Sequence, residues 1–161
     1  MIKKFNLFFL TLCKIGKIKY APGTIASIIT CLIFLLLIDV FDIIILFFIT
    51  LIIFFYSFMA INYSYEKFDL DDPQEIVVDE FVGQMLPLLS IPIYETLYLI
   101  PKFYYCVAAF VLFRIFDIWK PFPINYVDNN VQGALGIMLD DILAGVYTII
   151  ILIITFFFLG G

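Results

Sequence analysis

The chain has 161 residues, enough for about one domain, of which 65% are apolar and 14% charged, with a formal charge of −5 and no histidine. Its mean hydropathy of +1.13 sets it apart from a soluble domain, which carries about 25% charge, so the bilayer must serve as part of its solvent. The missing histidine excludes Ser-His-Asp hydrolases, His-nucleophile phosphatases and histidine-bound zinc, leaving carboxylates, Lys, Arg, hydroxyls, backbone amides and metal for any chemistry.

The opening MIKKFNLFFLTLC places Lys3 and Lys4 before an apolar run, as a signal peptide does. No small-x-small site follows, so an uncleaved, interface-seeking first helix is expected. Next comes Lys17-x-Lys19-Tyr20-Ala21-Pro22-Gly23-Thr24. Pro-Gly favours a turn, and Thr24 suits the N-cap of a helix from Ile25. The same residues also read as an anion cradle, with Gly23 admitting close backbone approach, a positive helix end, and Lys17 and Lys19 nearby.

Apolar runs at 25–38, 43–61, 103–113 and 142–159, and one at 81–93 broken by Gly83, Gln84, Pro87 and Pro92, predict an all-α fold. The expectation is one domain over 1–161, a compact helical membrane bundle of four to five apolar helices. Only 43–61 and 142–159 approach the roughly 20 residues of a full span; the others cross only by tilting or by counting polar ends. Lysine and arginine bias then orients the bundle. The basic start lies inside, Asp39–Asp42 forms an outer loop, and of nine basic residues only Lys102 falls outside. This gathers the polar clusters into a site at one membrane face, the cytoplasmic one.

Between the second and third predicted spans, residues 69–95 hold Asp69, Asp71, Asp72, Glu75, Asp79, Glu80 and Glu95 and no base. Such a tract argues against a nucleic acid partner and suits divalent cations. Asp72, Pro73 and Glu75 fit a helix start with capping-box spacing. Capping explains neither Asp79 nor Glu80, which continue into an apolar helix. Glu75, Asp79 and Gly83 recur at i, i+4, i+8 on one predicted face, and carboxylates there need a cation or a basic partner.

Further on, Arg114-x-x-Asp117-x-x-Lys120-Pro121 ends an apolar helix, with Pro123 and Asp128 following. It reads either as a structural ion pair or as a phosphate-binding pair of cations. Last, Gly133, Gly136 and Asp140 share one helix face, and Asp141 pairs with Gly145 at i+4. The glycines suit close helix contact; adjacent aspartates inside an apolar helix point to function. Cys13, Cys31 and Cys106 lie in apolar runs and read as small buried hydrophobes. Leu112 stands where a Cys-x5-Arg loop would need arginine.

Four segments in this order, APGT (21–24), DPQEIVVDEFVGQ (72–84), FRIFDIWKPFPI (113–124) and GALGIMLDDILAGVY (133–147), resemble the phosphatidylglycerophosphatase A family. The resemblance implies a helical, magnesium-dependent enzyme of the bacterial cytoplasmic membrane that hydrolyses phosphatidylglycerophosphate to phosphatidylglycerol and phosphate. By motif position it points to Asp72, Glu75, Asp79, Glu80, Asp117, Asp140 and Asp141 for the acidic site, and to Arg114 and Lys120 for phosphate. The expected arrangement places Mg²⁺ among Asp72, Glu75, Asp79, Asp140 and Asp141. Asp79, Glu80, Asp117 and Asp141 are the catalytic candidates, with Lys19, Gly23, Thr24, Arg114 and Lys120 around the phosphate. Direct water attack and an aspartyl-phosphate intermediate both fit. The expected partners are a phospholipid substrate and the membrane, with no protein partner evident. A carboxylate-lined cation transporter is the rival reading; a CDP-alcohol phosphotransferase would need an Asp-x2-Asp-Gly-x2-Ala-Arg signature, which is absent.

Overall fold

The computed structural model describes residues 2–65, 75–98 and 100–159, and all its regular structure is helical. A first helix α1 (Ile2–Leu10) leads through a 3-10 turn (Ile15–Lys17) to α2 (Pro22–Leu37) and α3 (Ile43–Tyr65). Then follow α4 (Val78–Leu88), α5 (Ile91–Tyr98), α6 (Lys102–Trp119), α7 (Ile124–Asn130) and α8 (Gly133–Leu159). The centre is α4, which packs against α8, α2, α3 and α6. Its Val78, Phe81, Val82, Gly83, Gln84, Met85 and Leu88 are all buried.

Glycine makes that centre possible. A Cβ on Gly83 would lie 2.7 Å from the Asp141 carbonyl oxygen, and one on Gly145 would lie 2.5 Å from the Gly83 carbonyl oxygen. The backbones of α4 and α8 therefore touch where the two glycines cross, as small residues allow in lipid-embedded helices.

At 11 residues, α4 is about 16 Å long and too short to cross a bilayer. The proline-interrupted run predicted at 81–93 resolves into α4 and α5. Backbone freed at the break is satisfied locally: Ser90 Oγ donates to the Pro87 carbonyl at 2.7 Å, and the buried Tyr105 hydroxyl donates to the same oxygen at 3.1 Å. Buried hydroxyls elsewhere do likewise, with Ser27, Thr30, Thr50 and Thr148 each bonding a carbonyl one turn back.

Two helix starts differ from expectation. Helix α2 begins at Pro22, with Ala21 as N-cap in the left-handed region, so Thr24 is the third helical residue and not the cap. Proline at N1 carries its fixed φ into the first turn and lacks only an N–H that would go unpaired. Helix α4 begins at Val78, so Glu75 precedes it and does not share a helical face with Asp79 and Gly83. Ile76 and Val77 are buried, and the Val77 N–H donates to the Leu10 carbonyl at the end of α1, 3.1 Å away. This β-branched run therefore serves as a strap across α1. Asp72 lies outside the described residues.

Helices α3 and α8 are long and apolar enough to cross a membrane, at mean hydropathies of 2.8 and 2.4, yet only 22% and 28% of their most apolar windows are buried. Ile44, Phe48, Ile52 and Phe55 of α3 face outward, as do Ile150, Ile153, Ile154 and Phe157 of α8. Core helices of a soluble protein would be covered; contiguous apolar faces of this extent call for an apolar solvent. The remaining apolar helices are shorter, α2 having 16 residues, and reach a span only with their flanks. The protein is expected to stay in the membrane pellet through high-salt and alkaline washing. Recovery in the soluble fraction without detergent would mean that these faces are covered by protein.

Candidate active site

The helices alternate in direction, so their functional ends meet. The start of α2 lies against Glu80 at the start of α4: a Cβ on Gly23 would sit 2.0 Å from Glu80 Oε1. At the other end of α2, Asp39 pairs with Lys102 at the start of α6. Helix α6 therefore delivers Arg114, Asp117 and Lys120 back to the end from which α4 and α8 depart.

There, Asp79 and Glu80 of α4 and Asp141 of α8 bring carboxylate oxygens within 4.8 Å of one another. Asp141 is 3% exposed, and Asp79 Oδ1 accepts the Glu80 N–H at 3.1 Å. Three carboxylates at this spacing repel by roughly 3 kcal/mol per pair at an effective dielectric of about 20. Helix crossing fixes them there, so the arrangement calls for a cation or for protons.

The trio opens on a cavity of about 650 Å³ also lined by Asp117, Lys120, Asp128 and Asp140, with Gly133 and Gly136 in its wall. Lys120 caps α6 in the left-handed region, which turns its ammonium inward to donate to Asp128 at 2.5 Å and Asp140 at 2.8 Å. Burial disfavours its charge, but these two carboxylates outweigh burial and raise its pKa above the ordinary lysine value. It therefore remains a cation at neutral pH. Arg114 Nη1 lies 2.6 Å from Asp117 Oδ2 without hydrogen-bond geometry, and both side chains are 15% exposed.

Several buried polar atoms have no hydrogen-bond partner among the described residues: Glu80 Oε2, Asp140 Oδ1, Arg114 Nε and both side-chain ends of Gln84. Orphaned carboxylate oxygens in an all-oxygen cluster fit a hard divalent ion, which takes oxygen ligands.

Of the residues expected from the sequence, Asp79, Glu80, Asp141, Asp140, Asp117 and Lys120 share this chamber. Arg114 backs it through Asp117, and also lines a separate groove with Thr24. Gly23 gives Glu80 its room. Glu75 stands apart, 3.5 Å from Lys17. Lys19 is exposed over the Tyr20 ring and does not line the chamber. Asp128 joins the chamber without having been a candidate from the sequence, and Gln84 lies buried in α4 outside its lining. Asp128 reaches Lys120 only through the short α7, which carries no sequence periodicity of its own, whereas Gln84 was legible as a polar residue within an apolar run.

The pattern describing the phosphatidylglycerophosphatase A family matches residues 8–156. A Haemophilus influenzae phosphatidylglycerophosphatase A is 33% identical over 136 residues, covering 84% of this chain and 79% of its own length. The Escherichia coli phosphatidylglycerophosphatase A is 45% identical over 75 residues, 47% of this chain and 40% of its own. A Bacteroides thetaiotaomicron protein provisionally named a phosphatidylinositol-3-phosphatase is 34% identical over 148 residues, 90% of this chain and 89% of its own. No solved structure matches. A phosphatase, not a transporter, is the protein that carries this chamber, and the chain belongs to the phosphatidylglycerophosphatase A family.

Proposed function

We propose that the protein hydrolyses the terminal phosphomonoester of phosphatidylglycerophosphate, releasing phosphatidylglycerol and phosphate, with Mg²⁺ in the acidic chamber. The observation that carries this reading is the meeting of Asp79, Glu80 and Asp141, from two crossing helices, beside a charged lysine. Their oxygens would hold the metal, with Asp140 next to them. Bound Mg²⁺ supplies Lewis acidity and lowers the pKa of a water. Lys120, fixed from both sides, neutralises charge growing on the phosphoryl oxygens. Asp117, anchored by Arg114, is the carboxylate placed to accept the proton of the attacking water. As oxygen adds to phosphorus, the phosphorus–oxygen bond to glycerol breaks and the glycerol oxygen takes up a proton. The headgroup follows the family and its two relatives of that name. We place the chamber on the cytoplasmic side of a bacterial membrane, because Lys3, Lys4, Lys14, Lys17 and Lys19 precede α2 without an intervening acid.

The test is phosphate release by the detergent-purified protein from phosphatidylglycerophosphate and from phosphatidylinositol 3-phosphate, before and after exhaustive EDTA. Release from the first lipid, lost with EDTA and restored by Mg²⁺, is expected. Full activity after EDTA would sink the metal mechanism; preference for the inositol lipid would reassign the headgroup.

A further inference from the structure

The mechanism accounts for the chamber but not for the seam between α2 and α6. Along that seam runs a groove of about 500 Å³ lined by Thr24 of α2 and by Phe110, Val111, Arg114, Ile115 and Trp119 of α6. At Phe110 it adjoins a second hollow of about 140 Å³, lined by Cys31, Leu32, Leu35, Cys106 and Val107 and devoid of charge. With Phe110 lining both, the two lie in succession along α6, and together they make up a furrow leading away from the functional end of the bundle. Val107, Val111, Ile115 and Trp119 are exposed at its lip, so it opens sideways.

The groove and the chamber are separate but neighbouring. Arg114 is one ion pair from Asp117, which lines the chamber, and Thr24 follows Gly23, against which Glu80 rests. Arg114 Nε is buried and has no hydrogen-bond partner among the described residues. Beyond its pairing with Asp117 the guanidinium keeps an N–H that needs an acceptor, which a phosphate oxygen supplies and an apolar helix laid in the furrow would not.

We propose that this furrow seats an acyl chain of the phospholipid substrate, with Arg114 and Thr24 binding its diester phosphate while the terminal phosphomonoester reaches the chamber. The proposal rests on the lipid phosphatase reading above. A substrate with two phosphates separated by a glycerol fits two anion positions separated by one ion pair. From Arg114 toward Phe110 and the second hollow the lining carries no charge, a path suited to a chain leaving the diester. Access is lateral, so the lipid need not leave the bilayer.

Val111→Trp and Val107→Trp fill the furrow from exposed positions. For dioleoyl substrate in mixed micelles each should raise KM by about tenfold, the burial of roughly two methylene groups, with kcat within about twofold. On a dihexanoyl substrate, Val107→Trp should act like the unmodified protein, because short chains do not reach it. Ile52→Trp, on the outward face of α3, is the control and should leave KM unchanged. If Val107→Trp fails to fold, Leu32→Trp closes the same hollow from the α2 side. Unaltered KM in the furrow variants, or an equal loss at both chain lengths, overturns the proposal. An altered oligomeric state by sedimentation, with KM unmoved, assigns the furrow to a second copy and also overturns it. No phosphate release by the unmodified protein would instead refute the proposed function.

Discussion

Asp79→Asn and Asp141→Asn should each lower phosphate release by about a hundredfold or more, the usual loss when a preorganised charge is removed from a reacting centre. Both changes preserve shape, and both relieve repulsion among carboxylates held within 4.8 Å. Removing a charge from an apolar helix eases membrane insertion, so a lost rate could not be ascribed to impaired burial. Protease resistance should match or exceed that of the parent. Because the two residues act through one site, the double variant should be little slower than either single one. Near-normal turnover in both single variants would make the cluster structural.

Two alanine substitutions should separate fold from chemistry. At Gly83 the new methyl would meet the backbone oxygen of Asp141 at 2.7 Å and its Cβ at 2.9 Å, atoms that move only if α4 and α8 part. Gly83→Ala should therefore destabilise the protein by about 1–3 kcal/mol, as overpacking does, visible as a lower melting temperature. At Gly23 the methyl would meet the Glu80 side chain, Oε1 at 2.0 Å and Cδ at 2.9 Å, the far end of a side chain that can swing aside. Gly23→Ala should melt normally but turn over roughly ten- to a hundredfold more slowly, since displacement by about 1 Å is enough for such losses. A thermally unchanged Gly83→Ala, or a fully active Gly23→Ala, would contradict this account of the crossing.

Residues placed by their own burial penalty were legible in the sequence. Asp79, Glu80, Asp140 and Asp141 stand in apolar helices where charge demands a reason, and all four line the chamber. Helices α3 and α8 followed from uninterrupted apolar runs. What local pattern missed was set by contacts distant in sequence. Capping rules placed Glu75 inside a helix, but Val77 hydrogen-bonds Leu10 and Glu75 meets Lys17, partners 67 and 58 positions away. Lys19 read as part of an anion cradle by proximity in sequence, yet the structure turns Lys120 to the chamber and leaves Lys19 outside. The furrow along α2 and α6 had no signature at all, because it is made by the spacing between two helices.

The pairing of Asp39 with Lys102, at the end remote from the carboxylates, bears on traffic across the bilayer. With the carboxylates at one end and that exposed ion pair marking the other, each turnover of the proposed reaction would begin and finish in the same leaflet. The dephosphorylated lipid would appear only on the side where the substrate was bound. Supplying it to the other leaflet would require a separate translocating protein, and rapid sampling of the two surfaces of sealed vesicles would register the delay as transient asymmetry.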